Sequence, residues 1–344
     1  MNRLALYSDL DMLGHDTGRH PERVDRLRAI VRGLEISGIS HESPLSSPSL
    51  ATIDQIGRIH SIRYIASVER QVRNGGGYLD ADTVVSPGSF QAALRSAGGA
   101  IAAMRSVVLG TSRYAFALGR PPGHHARPMT AMGFCLFNNV AIAAREAQAT
   151  LGVERIAIVD IDVHHGNGTQ ESFEEDPNIL FISTHQYPFY PGGGSMHEIG
   201  IGAGRGHTIN VPLPRGSGDE VYLAAVERVI IPALYRHRPE LILLSVGYDA
   251  HWSDPLAEMR LSISGYATII GQLVEAANDL CAGRLALVLE GGYDLDALAS
   301  GIVATCRVLR SEPWDDPIGS QEPLLGVADV EQTLATLRAV HDLP

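Results

Sequence analysis

The run ELILLSVGYD, residues 240–249, is apolar at consecutive positions rather than at alternate ones. As a strand it has no face to give to water, so it must be covered on both sides, as in a parallel sheet packed between helices. Comparable runs are RLALYS (3–8), YAFAL (114–118), RIAIVDID (155–162), NILFIST (178–184), HTINVPL (207–213) and LALVLE (285–290). Around them lie stretches with helical spacing at 22–37, 61–73, 89–109, 138–150, 168–175, 219–236, 264–281, 294–310 and 328–341. Strands that alternate with helices read as βαβ units. The expectation is an α/β fold with a central, mostly parallel sheet flanked by helices, as a single domain over residues 1–344. ESPLSSPS (42–49) reads as a surface loop, and YPFYPGGGSMHEIGIGAGRG (187–206) as a long glycine-rich connection after a strand. Long loops of that kind are where binding surfaces are built.

In open α/β sheets ligands bind outside the carboxyl ends of the strands. Four segments put unusual chemistry there. YAFALGRPPGHHA leads to His124 and His125, and IAIVDIDVHHGNG to Asp160, Asp162, His164 and Asn167. LILLSVGYDAHWSDPL leads to Asp249, and LALVLEGGYD to Tyr293. Unpaired charge is too costly to bury at such a place unless it finds a partner or a metal. Strand alternation points Asp162 and His164 to one side. With Asp249 they make two carboxylates and one imidazole, the three-ligand pattern of a catalytic zinc site with an open position. A hydrogen-bonded polar strand end without metal is the plainer alternative for a D-x-H pattern alone. A histidine acting as a base needs an acceptor on its other ring nitrogen. Asp160 and Asn167 are both available for that. Tyr293 follows two glycines that permit a close backbone approach, and a phenol can donate to a developing oxyanion.

Composition narrows the partners. The net charge of -12 argues against direct binding of a nucleic-acid polyanion and is compatible with a cationic substrate. No run approaches a membrane span, and the start MNRLALYSDLDMLGHD lacks the apolar stretch of a signal peptide. Three cysteines, Cys135, Cys281 and Cys306, with no CxxC, fit reduced thiols in a cytoplasmic protein. Monomer and homo-oligomer stay equally open.

RPPGHH, DIDVHHGNGTQ, GYDAHWSDPL and EGGYD, in this order, resemble the zinc-dependent histone deacetylase superfamily, with its acetylpolyamine amidohydrolases and acetoin-utilisation proteins. HPERVDRL and GFCLFNNVAIAA resemble it too, and the likeness covers roughly residues 5–315. It implies an arginase-like α/β domain. It implies zinc on Asp162, His164 and Asp249, tandem histidines His124 and His125 with Asp160 behind the first, and Tyr293 as the transition-state tyrosine. Gly133 and Phe134 of GFC and Tyr190 of FYPGG would line an acyl-lysine tunnel, with Leu256 of DPL as its gatekeeper. A structural potassium would lie beneath, on Asp160, Asp162, His164, Ser183 and Thr184. Asn167, behind the second histidine, is the class II-like choice, and a neutral amide stabilises imidazolium less than a carboxylate would.

The implied reaction is hydrolysis of an acetylated lysine side chain in a protein or peptide to acetate and free amine. His125 would take a proton from water, Tyr293 would hold the oxyanion, and His125 or His124 would protonate the leaving amine. One alternative is a small acetylated amine such as an acetylpolyamine. The apolar Leu256 and the lack of a large N-terminal insertion argue for lysine instead. A non-catalytic acyl-lysine binding protein is the other, and the complete His, Asp and Tyr set argues against it.

Overall fold

All the long apolar runs become strands of one sheet. The computed structural model describes residues 2–344. Its strands are β1 (Asn2–Tyr7), β2 (Leu45–Ser46), β3 (Gly77–Tyr78), β4 (Val84–Val85), β5 (Ser112–Ala117), β6 (Ile156–Asp160), β7 (Ile179–Gln186), β8 (Thr208–Leu213), β9 (Leu241–Val246) and β10 (Leu285–Leu289). β3 and β4 form a small antiparallel hairpin. The other eight are parallel, in the order β2-β1-β5-β10-β9-β6-β7-β8. The last strand in sequence therefore sits in the middle, between β5 and β9.

Alternate residues of each strand enter different cores, which is why the runs have no polar face. Tyr114, Phe116, Ala157 and Val159 pack on one side with helices Ile263–Cys281 and Leu295–Arg310. Ala115, Ala117, Ile156 and Ile158 pack on the other with helices Ser89–Val108 and Asn139–Leu151. Each fully buried Leu, Ile, Val or Phe contributes about 1.5–3 kcal/mol relative to exposure. Helix ends carry conventional caps: Asn138 accepts from Ala141 N, and Asp294 from Asp296 N and Ala297 N.

Three expectations need correction. The 42–49 segment is not all loop, because Leu45 and Ser46 pair with Leu6 and Tyr7 as an edge strand. The helix expected over 219–236 is interrupted. Asp219–Ala225 and Ile231–His237 are α-helical, and Val226–Ile230 between them is a π turn. Pro232 has no N–H to donate back, which favours widening of the turn before it. The strands expected over 155–162 and 240–249 stop at Asp160 and Val246, so the polar residues lie in the turns beyond. No helix is long and apolar enough to cross a membrane.

Candidate active site

Past Asp160 the chain leaves the sheet, and its own carboxylates shape the turn. Asp160 Oδ1 accepts Asp162 N at 3.1 Å, Asp162 Oδ1 accepts His164 N at 2.9 Å, and Asp249 Oδ1 accepts Val163 N at 3.0 Å. These bonds, and not strand alternation, aim Asp162 and His164 at one point. His164 Nδ1 stands 3.2 Å from Asp162 Oδ1 and 3.4 Å from Asp249 Oδ2. One ligand atom from each of the three lies within 4.8 Å of the others.

The donor set fits a divalent cation. All three residues are buried, and Asp249 Oδ2 has no hydrogen-bond partner. A Cβ on Gly247 would lie 2.0 Å from Asp162 Oδ2, and one on Gly291 2.0 Å from Asp249 Oδ2, so two glycines leave the carboxylates their room. Burial lowers the affinity of His164 for a proton, but the hydrogen bonds and charges of Asp162 and Asp249 outweigh it and push the imidazole up to about 10. Burial and the Asp162 charge raise Asp249. A cluster of this sign favours positive charge among its members, a proton on His164 or a metal ion in its place.

The tandem histidines diverge in environment. His124 Nδ1 is 2.9 Å from Asp160 Oδ2. Burial opposes its charge, but Asp160 and Asp162 prevail and raise it to about 10, so this pair holds a proton through neutral pH. His125 Nδ1 is 2.8 Å from Asn167 Oδ1, and Asn167 donates its amide to Met132 Sδ, which fixes the amide's orientation. His125 is held well below the usual imidazole range by burial and then by the His124 and His164 charges. The hydrogen bond to Asn167 and the charge of Asp162 work the other way and are outweighed. With Nδ1–H given to Asn167, Nε2 is left bare as an acceptor.

A narrow cavity of ≈ 160 Å³ leads to this point, lined by Asp82, His125, Gly133, Phe134, His164, Phe189, Tyr190, Leu256 and Tyr293. Phe134 stands edge-on to Tyr293 at 5.8 Å, and Tyr190 edge-on to His125 at 5.2 Å. Gly133 is required: its φ is +55°, and a Cβ would strike His125 Cδ2 at 2.3 Å. Asp160, Ser183 and Thr184 meet at the adjoining ends of β6 and β7, where Thr184 Oγ1 donates to the Asp160 carbonyl at 3.4 Å.

Several residues here carry no role in the sequence reading. Phe189 stacks on His164 at 5.5 Å, and Asp82 places a carboxyl on the cavity wall, raised by burial and Asp80. Asp254 binds the gatekeeper turn to the tyrosine loop: Oδ1 accepts Leu256 N, and Oδ2 accepts Tyr293 N and Asp294 N. Buried Glu290 accepts Gly123 N at 2.7 Å and His124 N at 3.1 Å, clamping the histidine turn. Its signal was present, an acid closing the apolar run LALVLE. Glu22 receives both Arg120 and Arg26, and Arg26 in turn donates to the Glu290 and Gly292 carbonyls beside Tyr293. Removing one partner of so buried a pair costs about 3–5 kcal/mol.

Residues 20–309 match the histone deacetylase domain. The chain belongs to the histone deacetylase family. It is 39% identical to "Histone deacetylase 14, chloroplastic" of Arabidopsis thaliana, over 97% of this chain and 85% of the relative. It is 42% identical to "Histone deacetylase-like amidohydrolase" of Pseudomonas aeruginosa, over 94% of this chain and 86% of the relative. Among solved structures, that described as "Crystal Structure of HDA15 HD domain" superimposes with a TM-score of 0.89 at 34% identity, covering 98% of this chain and 94% of that one. Membership of this family of deacetylases and amidohydrolases supports a hydrolase.

Proposed function

We propose that residues 1–344 form one catalytic domain, a zinc-dependent deacetylase that removes acetyl groups from lysine side chains in proteins or peptides and releases acetate. The observation that carries this reading is His125, oriented by Asn167 and lining a narrow cavity, beside three converging ligand atoms and the half-buried Tyr293. Asp162, His164 and Asp249 would hold the zinc, which when bound supplies polarisation of the amide carbonyl and acidifies water. His125 Nε2 takes the proton of the attacking water, while Asn167 keeps the ring in that tautomer. Tyr293, raised well above the ordinary phenol range by burial, stays protonated and donates to the oxyanion. The proton on His125, or that held by His124 and Asp160, passes to the leaving amine. Phe134 and Tyr190 flank the alkyl chain and exclude water from it. A structural potassium on Asp160, Asp162, His164, Ser183 and Thr184 is supported by the meeting of the Asp160 carbonyl and the Thr184 hydroxyl. The three cysteines are free and buried, which supports a reducing, cytoplasmic setting.

One observation favours a second substrate reading. Asp82 on the cavity wall could meet the distal ammonium of a small acetylated amine, whereas Leu256 offers it no charge. Acetate release from acetyl-lysine peptides and from acetylspermidine, with and without a chelator, tests both. Chelator-insensitive release defeats the zinc assignment, and a higher kcat/KM on acetylspermidine defeats the lysine assignment.

A further inference from the structure

At the opposite end of the sheet from the cavity lies a second concavity of ≈ 400 Å³, lined by Arg155, Pro177, Arg205, Gly206, His207, Arg236 and His237. Its residues come from the amino ends of four neighbouring strands. Arg155 immediately precedes β6, Pro177 closely precedes β7, His207 immediately precedes β8, and Arg236 and His237 end the helix that leads to β9. In a chain of net charge -12, a pocket walled by three guanidinium groups is a local reversal of sign, and its two imidazoles, both lowered by burial, add no charge at neutral pH.

Two of the three guanidinium groups are anchored to backbone, and only Arg155 has an acid beside it. Arg236 donates through Nη1 to the His341 carbonyl and through Nη2 to the Gly206 carbonyl. Arg155 Nε donates to the Arg238 carbonyl. Each is anchored to backbone and keeps other N–H groups to offer. Among the described residues Arg205 makes no ion pair. Of the nearby acids, one is paired elsewhere, one lies beside Arg155, and one acts only at longer range. Asp176 pairs with Arg145. Glu240 accepts Glu154 N and Arg155 N and stands 3.7 Å from Arg155 Nη2. Asp342 acts on Arg236 only as a charge at longer range. The imidazoles of His207 and His237 stand edge to face at 5.6 Å, and each has a ring nitrogen without a hydrogen-bond partner.

We infer that this pocket binds the phosphoryl group of a small phosphorylated molecule. Guanidinium forks suit the geometry of phosphate oxygens, and the two anchored ones, Arg155 and Arg236, lose little freedom on binding. Several cations around one concavity favour a dianion over a monocarboxylate. The volume lies in the range of small-ligand sites, large enough for a sugar phosphate and not only for the free anion.

The test is equilibrium dialysis of the full chain against labelled inorganic phosphate, with calorimetry using glucose 6-phosphate, acetate and a phosphoserine peptide. The comparison protein carries Arg155→Gln and Arg205→Glu. Arg236 is left intact, because its bond to the His341 carbonyl also ties down the C-terminal end. Saturable binding of one equivalent of phosphate or glucose 6-phosphate, weakened about tenfold or more in the variant and absent with acetate, supports the inference. Melting curves with phosphate show whether both proteins fold. General stabilisation by an excluded salt acts equally on both and does not mimic a site. Three results overturn it: no saturable binding, binding unchanged in the variant, or binding confined to the phosphoserine peptide.

Discussion

Gly133→Ala separates two properties that this glycine combines. The first is its left-handed backbone, φ +55°, which costs an L-residue about 1–2 kcal/mol. The second is contact: the new methyl would lie 2.3 Å from His125 Cδ2 and 2.7 Å from Cγ, short of ordinary carbon contact by about 1 Å at the nearer atom. The His125 ring must give way, and its 2.8 Å bond to Asn167 goes with it, for a further 0.5–1.5 kcal/mol or so. The expected loss of stability is therefore about 1.5–3.5 kcal/mol. A shift of about 1 Å in a general base costs on the order of 10² in rate, so kcat should fall by that factor. Metal content should hold, because Asp162, His164 and Asp249 lie outside the collision. Gly152→Ala is the control: its φ is +68°, and a Cβ there meets nothing within 4 Å, so it carries the backbone cost alone. The assay is kcat and KM on an acetyl-lysine peptide beside urea denaturation and zinc analysis of both variants. If Gly133→Ala keeps kcat within about threefold of wild type while losing stability like Gly152→Ala, His125 is not the base, or its ring is not fixed where the contacts place it.

Tyr293→Phe should keep fold and zinc and lose about 10²–10³ in kcat with little change in substrate affinity, and a fall in kcat of under threefold would make Tyr293 a packing residue. Asp249→Ala should lose both metal and activity, and stoichiometric zinc with full turnover would remove it from the ligand set. Leu256→Glu should move kcat/KM towards acetylspermidine, and an unchanged ratio would show that the gatekeeper turn does not meet the distal amine. His60 predicts an acid lability away from the site. Its Nε2 accepts Asn138 N, and burial lowers it from 6.5 to about 4. The unfolded chain then binds the extra proton, so stability is full above pH 6.5 and falls by up to about 3 kcal/mol as pH drops towards 4. His60→Asn should flatten that part of the urea midpoint against pH, and an equal slope in both proteins would refute the assignment.

The sheet was legible because strands such as ELILLSV, buried on two faces, leave an uninterrupted apolar record. The polar ends were legible because acids there have no packing explanation. What escaped were elements too short to carry a period, such as the β3–β4 hairpin and the turn Leu10–Gly14. Interactions made by backbone groups escaped as well. Nothing in the spelling of EGGYD says that the Glu290 carboxylate holds Gly123 N, or that Asp254 ties Leu256 to Tyr293, since those partners are amides common to every residue. The reach of Arg26 and Arg120 to Glu22 depends on three segments meeting in space.

The central place of β10 in the sheet has a consequence for synthesis of the chain. Until residues 285–289 leave the ribosome, the sheet exists only as β2-β1-β5 and β9-β6-β7-β8, two slabs with apolar edges at β5 and β9 that have nothing to pair with. Such edges template wrong pairing, and non-local parallel strands close slowly. The nascent protein should therefore lean on chaperones late, when some nine-tenths of its strands are made, and fragments ending before Leu285 should aggregate. Tyr293 follows β10 by only a few residues, so the same insertion that seals the sheet also completes the cavity, and no half-finished molecule is an active one.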